Sequence, residues 1–211
     1  MSFVGIKHAY YNSQSRLFKT LFFIYVRYPL MNYDSLSEFE AVVWDLDGTL
    51  VRLSVDWDIV ASDVAEVFET AGIDVSDVDL WEMLNLASDR GLRDDVETVI
   101  AHHERRGARA ADRLTHADAV GSVAPHEGVC SLNCEAACKI ALQTQGIETH
   151  LTAVTGRDTV ESQKPDPDPL LHTLTQLSVD PDAAVFIGDS PRDETTAERA
   201  GVAFQYADTI T

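Results

Sequence analysis

An uninterrupted apolar run, Ala41 to Trp44, ends in Asp45-Leu46-Asp47-Gly48-Thr49-Leu50. Four consecutive apolar residues bounded by a turn signal read as a short, fully buried strand. Open α/β sheets bind ligands at the carboxyl ends of such strands. Asp45 and Asp47 are i and i+2, so in a continuing strand they share one face. Gly48 ends the strand and lets a ligand approach the backbone closely. The stretch reads as a nucleophile site, and it limits the fold to one that buries a central strand on both faces.

The segments that follow fit that limit. After Leu50 the spacing turns helical. Trp57, Val60, Val64, Val67, Phe68 and Ala71 recur at three and four residues, and Gly72 closes the run. Further helices are expected over Val78 to Ala87, along the stripe Leu92, Val96, Val99, Ile100 and His103, and from Ala108 to Val120. No strand pattern interrupts this block. Strand and helix then alternate: Gly128 to Asn133, a helix through Cys134, Ala137, Cys138, Ala141 and Leu142, and a strand over Leu151 to Val154. A proline-rich approach to a helix at Leu170 follows, then the strand Ala183 to Ile187, a helix from Asp193 to Ala200, and a last strand over Val202 to Tyr206. Such alternation implies a parallel sheet with right-handed crossovers.

Composition narrows the partners. The 211 residues carry 35 acids against 16 basic residues, a formal net charge of -19. Such a chain repels polyanions, which excludes nucleic acid as a partner. Acids spread over the whole surface suit a protein kept hydrated in a high-salt cytosol, a halophilic signature. Cys130, Cys134 and Cys138 form no paired framework and fit a reducing, cytoplasmic compartment. Two of them lie in the apolar stripe with Ala137 and Ala141, so they read as small buried hydrophobes and not as metal ligands. The adjacent His102 and His103 point apart on a helix and do not share a metal. The first thirty residues differ from the remainder, with Lys7, Arg16, Lys19 and Arg27 and no acid. Their apolar run, Leu21 to Val26, is far shorter than the ~20 residues of a membrane span. Residues 1–38 are expected to lie outside the fold, with no membrane partner.

Polar sites follow four successive strands: Asp45 and Asp47, Ser131 and Asn133, Lys164, and Asp189 with Asp193. In a parallel sheet these ends converge on one rim. Two converging carboxylate clusters need a cation, or their pKa values rise by mutual repulsion. An all-oxygen donor set favours Mg²⁺. A lysine and a hydroxyl beside that ion make a receptor for a phosphoryl group.

These motifs resemble the four of the haloacid dehalogenase-like (HAD) hydrolase superfamily, in the family's order: Asp45 to Leu50, Ser131, Lys164 in Lys-Pro-Asp-Pro, and Gly188-Asp189-Ser190-Pro191-Arg192-Asp193. The resemblance implies an α/β fold, a Rossmann-like core with strand order 5-4-1-2-3 and a helical cap inserted after the first strand. Core residues are then 39–51 and 121–211, and cap residues 52–120. It further implies a Mg²⁺-dependent phosphatase of the phosphoglycolate phosphatase-like branch, acting on a small phosphorylated metabolite as a monomer or homodimer. Asp45 would be the nucleophile and Asp47 the acid and base. Ser131, Asn133 and Lys164 would hold the phosphoryl group. Asp45, the Asp47 backbone carbonyl and Asp189 would hold the metal, and Asp193 would position Lys164. An acid at 47 argues for phosphate esters over halogenated substrates. A phosphomutase of the same family and a phospho-accepting signalling module are the alternatives. Arg52 reads as a surface arginine, and Arg157 as a further residue at a strand end.

Overall fold

The computed structural model describes residues 33–210. The expected extension therefore lies mostly outside the described residues. Its last part does not lie outside the fold: Leu36 is 1% exposed in the core. The Tyr33 hydroxyl is 2.7 Å from His116 Nδ1.

Among the described residues a five-stranded parallel sheet forms the centre. Its middle strand is β1 (Ala41–Trp44), buried along its whole length. A two-residue strand, β2 (Val51–Arg52), leads into a run of helices. There the chain forms α1 (Trp57–Thr70), α2 (Leu80–Arg90) and α3 (Arg93–Ala108), and returns through β3 (Asp112–Arg113). The core resumes with β4 (His126–Cys130), α4 (Glu135–Gln145), β5 (Ala153–Thr155), α5 (Asp168–Leu177), β6 (Ala184–Gly188), α6 (Pro191–Ala200) and β7 (Ala203–Tyr206). The spatial order β5-β4-β1-β6-β7 is the expected 5-4-1-2-3 once sheet strands are counted in chain order. β1 pairs in register with both neighbours, Trp44 opposite Val129 and Ile187.

Alternate residues of β1 serve two cores, as a pleated strand requires. Val42 and Trp44 pack with α4 through Ala137, Ala141 and Leu142. Ala41 and Val43 pack with α5 and α6 through Leu170, Leu174 and Ala197. The Trp44 indole N–H, which needs a partner when buried, donates to Glu127 Oε2 at 2.9 Å. The helices α1 to α3 have their own apolar centre of Val60, Val64, Phe68, Leu84, Val96 and Ile100.

The helix expected from Ala108 to Val120 is absent. Asp112–Arg113 instead pairs antiparallel with Val51–Arg52, and Thr115–Asp118 forms a short 3₁₀ turn. The competing partners are specific. Leu114 N–H donates to the Leu50 carbonyl, and the Gln145 side chain donates to the Ala111 carbonyl. The Arg113 guanidinium donates to the carbonyls of Ala117 and Gln145. Ala117 and Val120 belong to the core cluster of Trp44, so the end of the expected 52–120 insertion packs with the sheet. The stripe on α3 also shifts. Glu104, Gly107 and Ala108 are buried, while His103 turns to Asp63 at 2.7 Å.

Candidate active site

Asp45 leaves β1 directly, and its amide donates to the Ile187 carbonyl at 2.7 Å, so the neighbouring strand fixes its backbone. Its carboxylate, 5% exposed, accepts from Lys164 Nζ at 2.7 Å. Lys164 uses all three of its protons: the others go to Asp193 Oδ1 at 2.5 Å and to the Cys130 carbonyl at 3.1 Å. Asp193 is held in turn. Its second oxygen accepts from the Ser190 hydroxyl at 2.6 Å and the Ser190 amide at 3.2 Å. That exchange is the capping box that starts α6. The residue that anchors Lys164 is thus locked by the first turn of a helix.

Asp45 and Asp47 do not share a strand face, because the sheet ends at Trp44. The chain turns through Gly48 at φ +93°, and the Gly48 amide donates to the Val51 carbonyl at 2.7 Å. Asp47 Oδ1 accepts from the Leu53 amide at 2.8 Å, which fixes the side chain in the lining of the cavity. Asp189 is exposed and lies over Gly48. Carboxylate oxygens of Asp45, Asp189 and Asp193 gather within 4.8 Å of one another. The Asp47 carboxylate is not in that group.

Burial, reinforced by Asp193 and Asp189, pushes the Asp45 carboxyl up to about 7 against the opposing pull of Lys164. Asp47 and Asp189 are also raised, first by burial and then by neighbouring carboxylates. Burial alone would lower the Lys164 ammonium, but Asp45 and Asp193 outweigh it and hold it charged. Three acids that resist ionising together lack positive charge, and their hard oxygens suit a divalent cation.

Ser131 and Asn133 lie beyond β4, both buried. The Ser131 amide donates to the Thr155 carbonyl at 2.9 Å, and its hydroxyl donates to Asn133 Oδ1 at 3.1 Å. These groups and the acids line one cavity of about 550 Å³. Its opposite wall comes from α1, α2 and the turn between them: Trp57, Val78, Leu80 and Trp81. The Trp57 and Trp81 rings are 6.0 Å apart, and the Arg192 guanidinium sits 5.5 Å from the centre of the Trp81 ring. A cavity between a polar sheet rim and apolar side chains of the inserted helices can enclose a small molecule.

Known proteins match at the levels of profile, sequence and fold. The profile of haloacid dehalogenase-like hydrolases matches residues 124–207. Phosphoglycolate phosphatase of Rhodospirillum rubrum is 32% identical over 188 residues, 77% of each chain. The chain belongs to the haloacid dehalogenase-like hydrolases. Within them it is similar to the phosphoglycolate phosphatase-like phosphatases, that of Mesorhizobium japonicum included, at 27% identity over 76% of this chain and 79% of that one. The fold agrees. CbbY of Rhodobacter sphaeroides, solved in complex with phosphate, superimposes with TM-score 0.58 at 17% identity, covering 80% of this chain and 85% of that one. A HAD-superfamily hydrolase of Geobacter sulfurreducens does so with TM-score 0.53 at 22% identity, covering 79% and 88%.

In this HAD hydrolase the remaining candidates separate. Arg52 is exposed on β2 and does not line the cavity. Cys130, Cys134 and Cys138 are buried and free. Arg157 is also off the cavity, fully buried between core and cap, where it meets Glu97 and Glu104 of α3. Sequence reasoning missed Glu104, Trp81 and Arg192. Glu104 is one turn past Ile100 and eight residues past Val96, a spacing that put it on the buried side of α3 in plain view.

Proposed function

We propose that this HAD hydrolase is a Mg²⁺-dependent phosphatase that hydrolyses a small phosphorylated metabolite through an aspartyl-phosphate on Asp45. The observation that carries this reading is Lys164, buried between Asp45 and Asp193 at the floor of a cavity that Asp47, Ser131 and Asp189 also line.

Lys164 keeps Asp45 oriented and adds positive charge where the phosphoryl oxygens would gather. Asp45 Oδ2 is left to attack phosphorus, forming the P–O bond as the substrate's ester P–O bond breaks. Asp47, whose carboxyl burial raises above its ordinary value, would give a proton to the leaving oxygen and take one back from the water that hydrolyses the intermediate. Asn133 offers an N–H donor to the phosphoryl oxygens, and the Ser131 hydroxyl, which here donates to Asn133 Oδ1, would turn its one proton to them when a phosphoryl group binds. Asp45, Asp189 and the Asp47 backbone carbonyl would hold Mg²⁺. When bound, the ion supplies charge stabilisation for the transferring group. Asp193 stays with Lys164 and Ser190 and serves to place the lysine.

Phosphoglycolate, for which the relatives are named, is the first substrate to test. A two-carbon ester fits a cavity closed by cap helices, and Arg192 over Trp81 adds a cation at the cap side. No helix among the described residues is long and apolar enough to cross a membrane, in keeping with a cytoplasmic enzyme. The acidic surface accords with work in high salt.

A phosphate-release screen over phosphorylated metabolites, with and without Mg²⁺ and at low and high salt, tests the reading. Turnover of a small phosphomonoester that stops on chelation is the expected result. Absence of release from every ester, or release indifferent to chelation, contradicts it.

A further inference from the structure

Arg157 is the most completely engaged side chain outside the catalytic cavity. It is fully buried and donates to three groups. Nε reaches both Glu97 oxygens, at 3.2 and 3.0 Å. NH1 reaches Glu104 Oε1 at 2.7 Å and the Leu132 carbonyl at 2.6 Å. NH2 reaches Glu97 Oε2 at 2.8 Å and Glu104 Oε2 at 3.1 Å. Glu97 and Glu104 are seven residues apart, two turns on one face of α3. The core therefore grips a cap helix through one guanidinium.

Glu104 passes this grip to the core's second motif. Its side chain has no exposure. Oε1 accepts from Asn133 Nδ2 at 3.2 Å, and Oε2 accepts from the Cys134 amide at 2.9 Å. A carboxylate only accepts, so Asn133 must turn its NH₂ toward Glu104. Its carbonyl oxygen is then fixed toward Ser131, whose hydroxyl donates to it. One Asn133 proton is taken by Glu104, and the other is left for a ligand in the cavity that Asn133 lines. The orientation of both Ser131 and Asn133 thus depends on an acid carried by the cap. Buried ion pairs are poor sources of net stability, and this one spends its hydrogen bonds on orientation.

We propose that Glu104, held by Arg157, is a positioning residue for the phosphoryl group: helix α3 fixes the Asn133 amide through it, with one N–H turned to the cavity. The inference rests on the phosphatase reading above and adds the link from cap to phosphoryl cradle.

Inhibition by inorganic phosphate, with Mg²⁺ present, measures the cradle separately from chemistry. Glu104→Gln leaves the Asn133 amide free to flip. It is expected to weaken phosphate by about tenfold, the size of one hydrogen bond to a charged group, and to raise KM more than it lowers kcat. Asn133→Ala should weaken phosphate similarly, and the Glu104→Gln/Asn133→Ala double variant no further than Asn133→Ala alone. Should Glu104→Gln not fold, the Glu104→Met/Arg157→Met pair, which removes both buried charges at once, serves in its place with the same expectation. A folded Glu104 variant with unchanged phosphate inhibition, or losses that multiply in the double variant, overturns the positioning role and leaves the phosphatase reading standing. A harmless Asn133→Ala overturns the cradle as well. Absence of turnover in the wild type removes the phosphatase reading itself, and the inference with it.

Discussion

The Asp189 carboxylate rests on the α-carbon of Gly48: a Cβ at that position would lie 2.0 Å from Asp189 Oδ2. Two motifs far apart in sequence thus meet at a point where a side chain has no room, and the backbone at φ +93° is one that L residues rarely adopt.

Gly48→Ala should therefore displace Asp189 or distort the turn that carries Asp47. Steric strain of this kind costs about 1–2 kcal/mol. The clash adds a change at the acidic cluster. Thermal melts and steady-state kinetics together check it: a modest loss of stability with a much larger loss of turnover is expected. Wild-type turnover in Gly48→Ala would mean that the Asp189–Gly48 contact is not needed.

Lys164 is a cation shared by two buried acids, so Lys164→Met leaves Asp45 and Asp193 without an ion-pair partner there. Removing one partner of a buried charged set costs about 3–5 kcal/mol, and lost charge stabilisation at a reacting phosphoryl group costs about a hundred- to thousandfold in rate. Lys164→Arg keeps the charge, but its planar fork cannot reproduce three bonds from one nitrogen, so it should recover stability better than activity. Denaturant unfolding and phosphate release measured on both variants separate the two effects.

The cysteines give a prediction with a defined sign. Burial pushes the Cys130 and Cys134 thiols up to about 12, and Cys138 well above its ordinary value. At pH 8 the folded protein holds no reactive thiolate, whereas the unfolded chain does. Alkylation by iodoacetamide should be negligible until denaturant is added, and then reach all three. Because these thiols are raised in the folded state, their contribution to stability is complete below pH 9 and is lost as pH climbs from about 9 to 12. Rapid labelling of native protein at pH 8 would show that the sites are open.

Much of this was legible in the sequence for a physical reason. Apolar strands with polar ends and helices with 3.6-residue stripes carry their burial pattern in their composition, so the elements and the residues at the rim could be placed, while the strand order came only from the resemblance to the HAD family. Asp193 could not be separated from an ordinary first-turn acid until its contact with Lys164 was seen. Residues 108–120 misled because Ala111, Leu114 and Ala117 have a spacing that suits a helix. Their backbone partners, Leu50 and Gln145, lie far away in the chain. Glu104 was missed for a related reason: a glutamate on a helix reads as solvated, and only the distant Arg157 makes its burial possible.

The cap's share in substrate enclosure is testable at Trp81. Trp81→Ala removes the ring beneath Arg192 and opposite Trp57. A contact of about 1–2 kcal/mol there corresponds to roughly a tenfold rise in KM, with kcat less affected because the acids and Lys164 are untouched. Equal KM for variant and wild type on the best ester would remove Trp81 from the binding wall.

The role of Asp45 can be read from the covalent state of the enzyme. Wild-type protein turning over its best phosphoester with Mg²⁺ is quenched in acid, digested, and the peptide containing Asp45 is weighed by mass spectrometry, alongside Asp45→Asn treated identically. A phosphoryl group on that peptide in the wild type, together with its absence and the loss of phosphate release in Asp45→Asn, is the expected result. Phosphate release retained by Asp45→Asn, or a phosphoryl group found on another peptide, would contradict a nucleophile at Asp45.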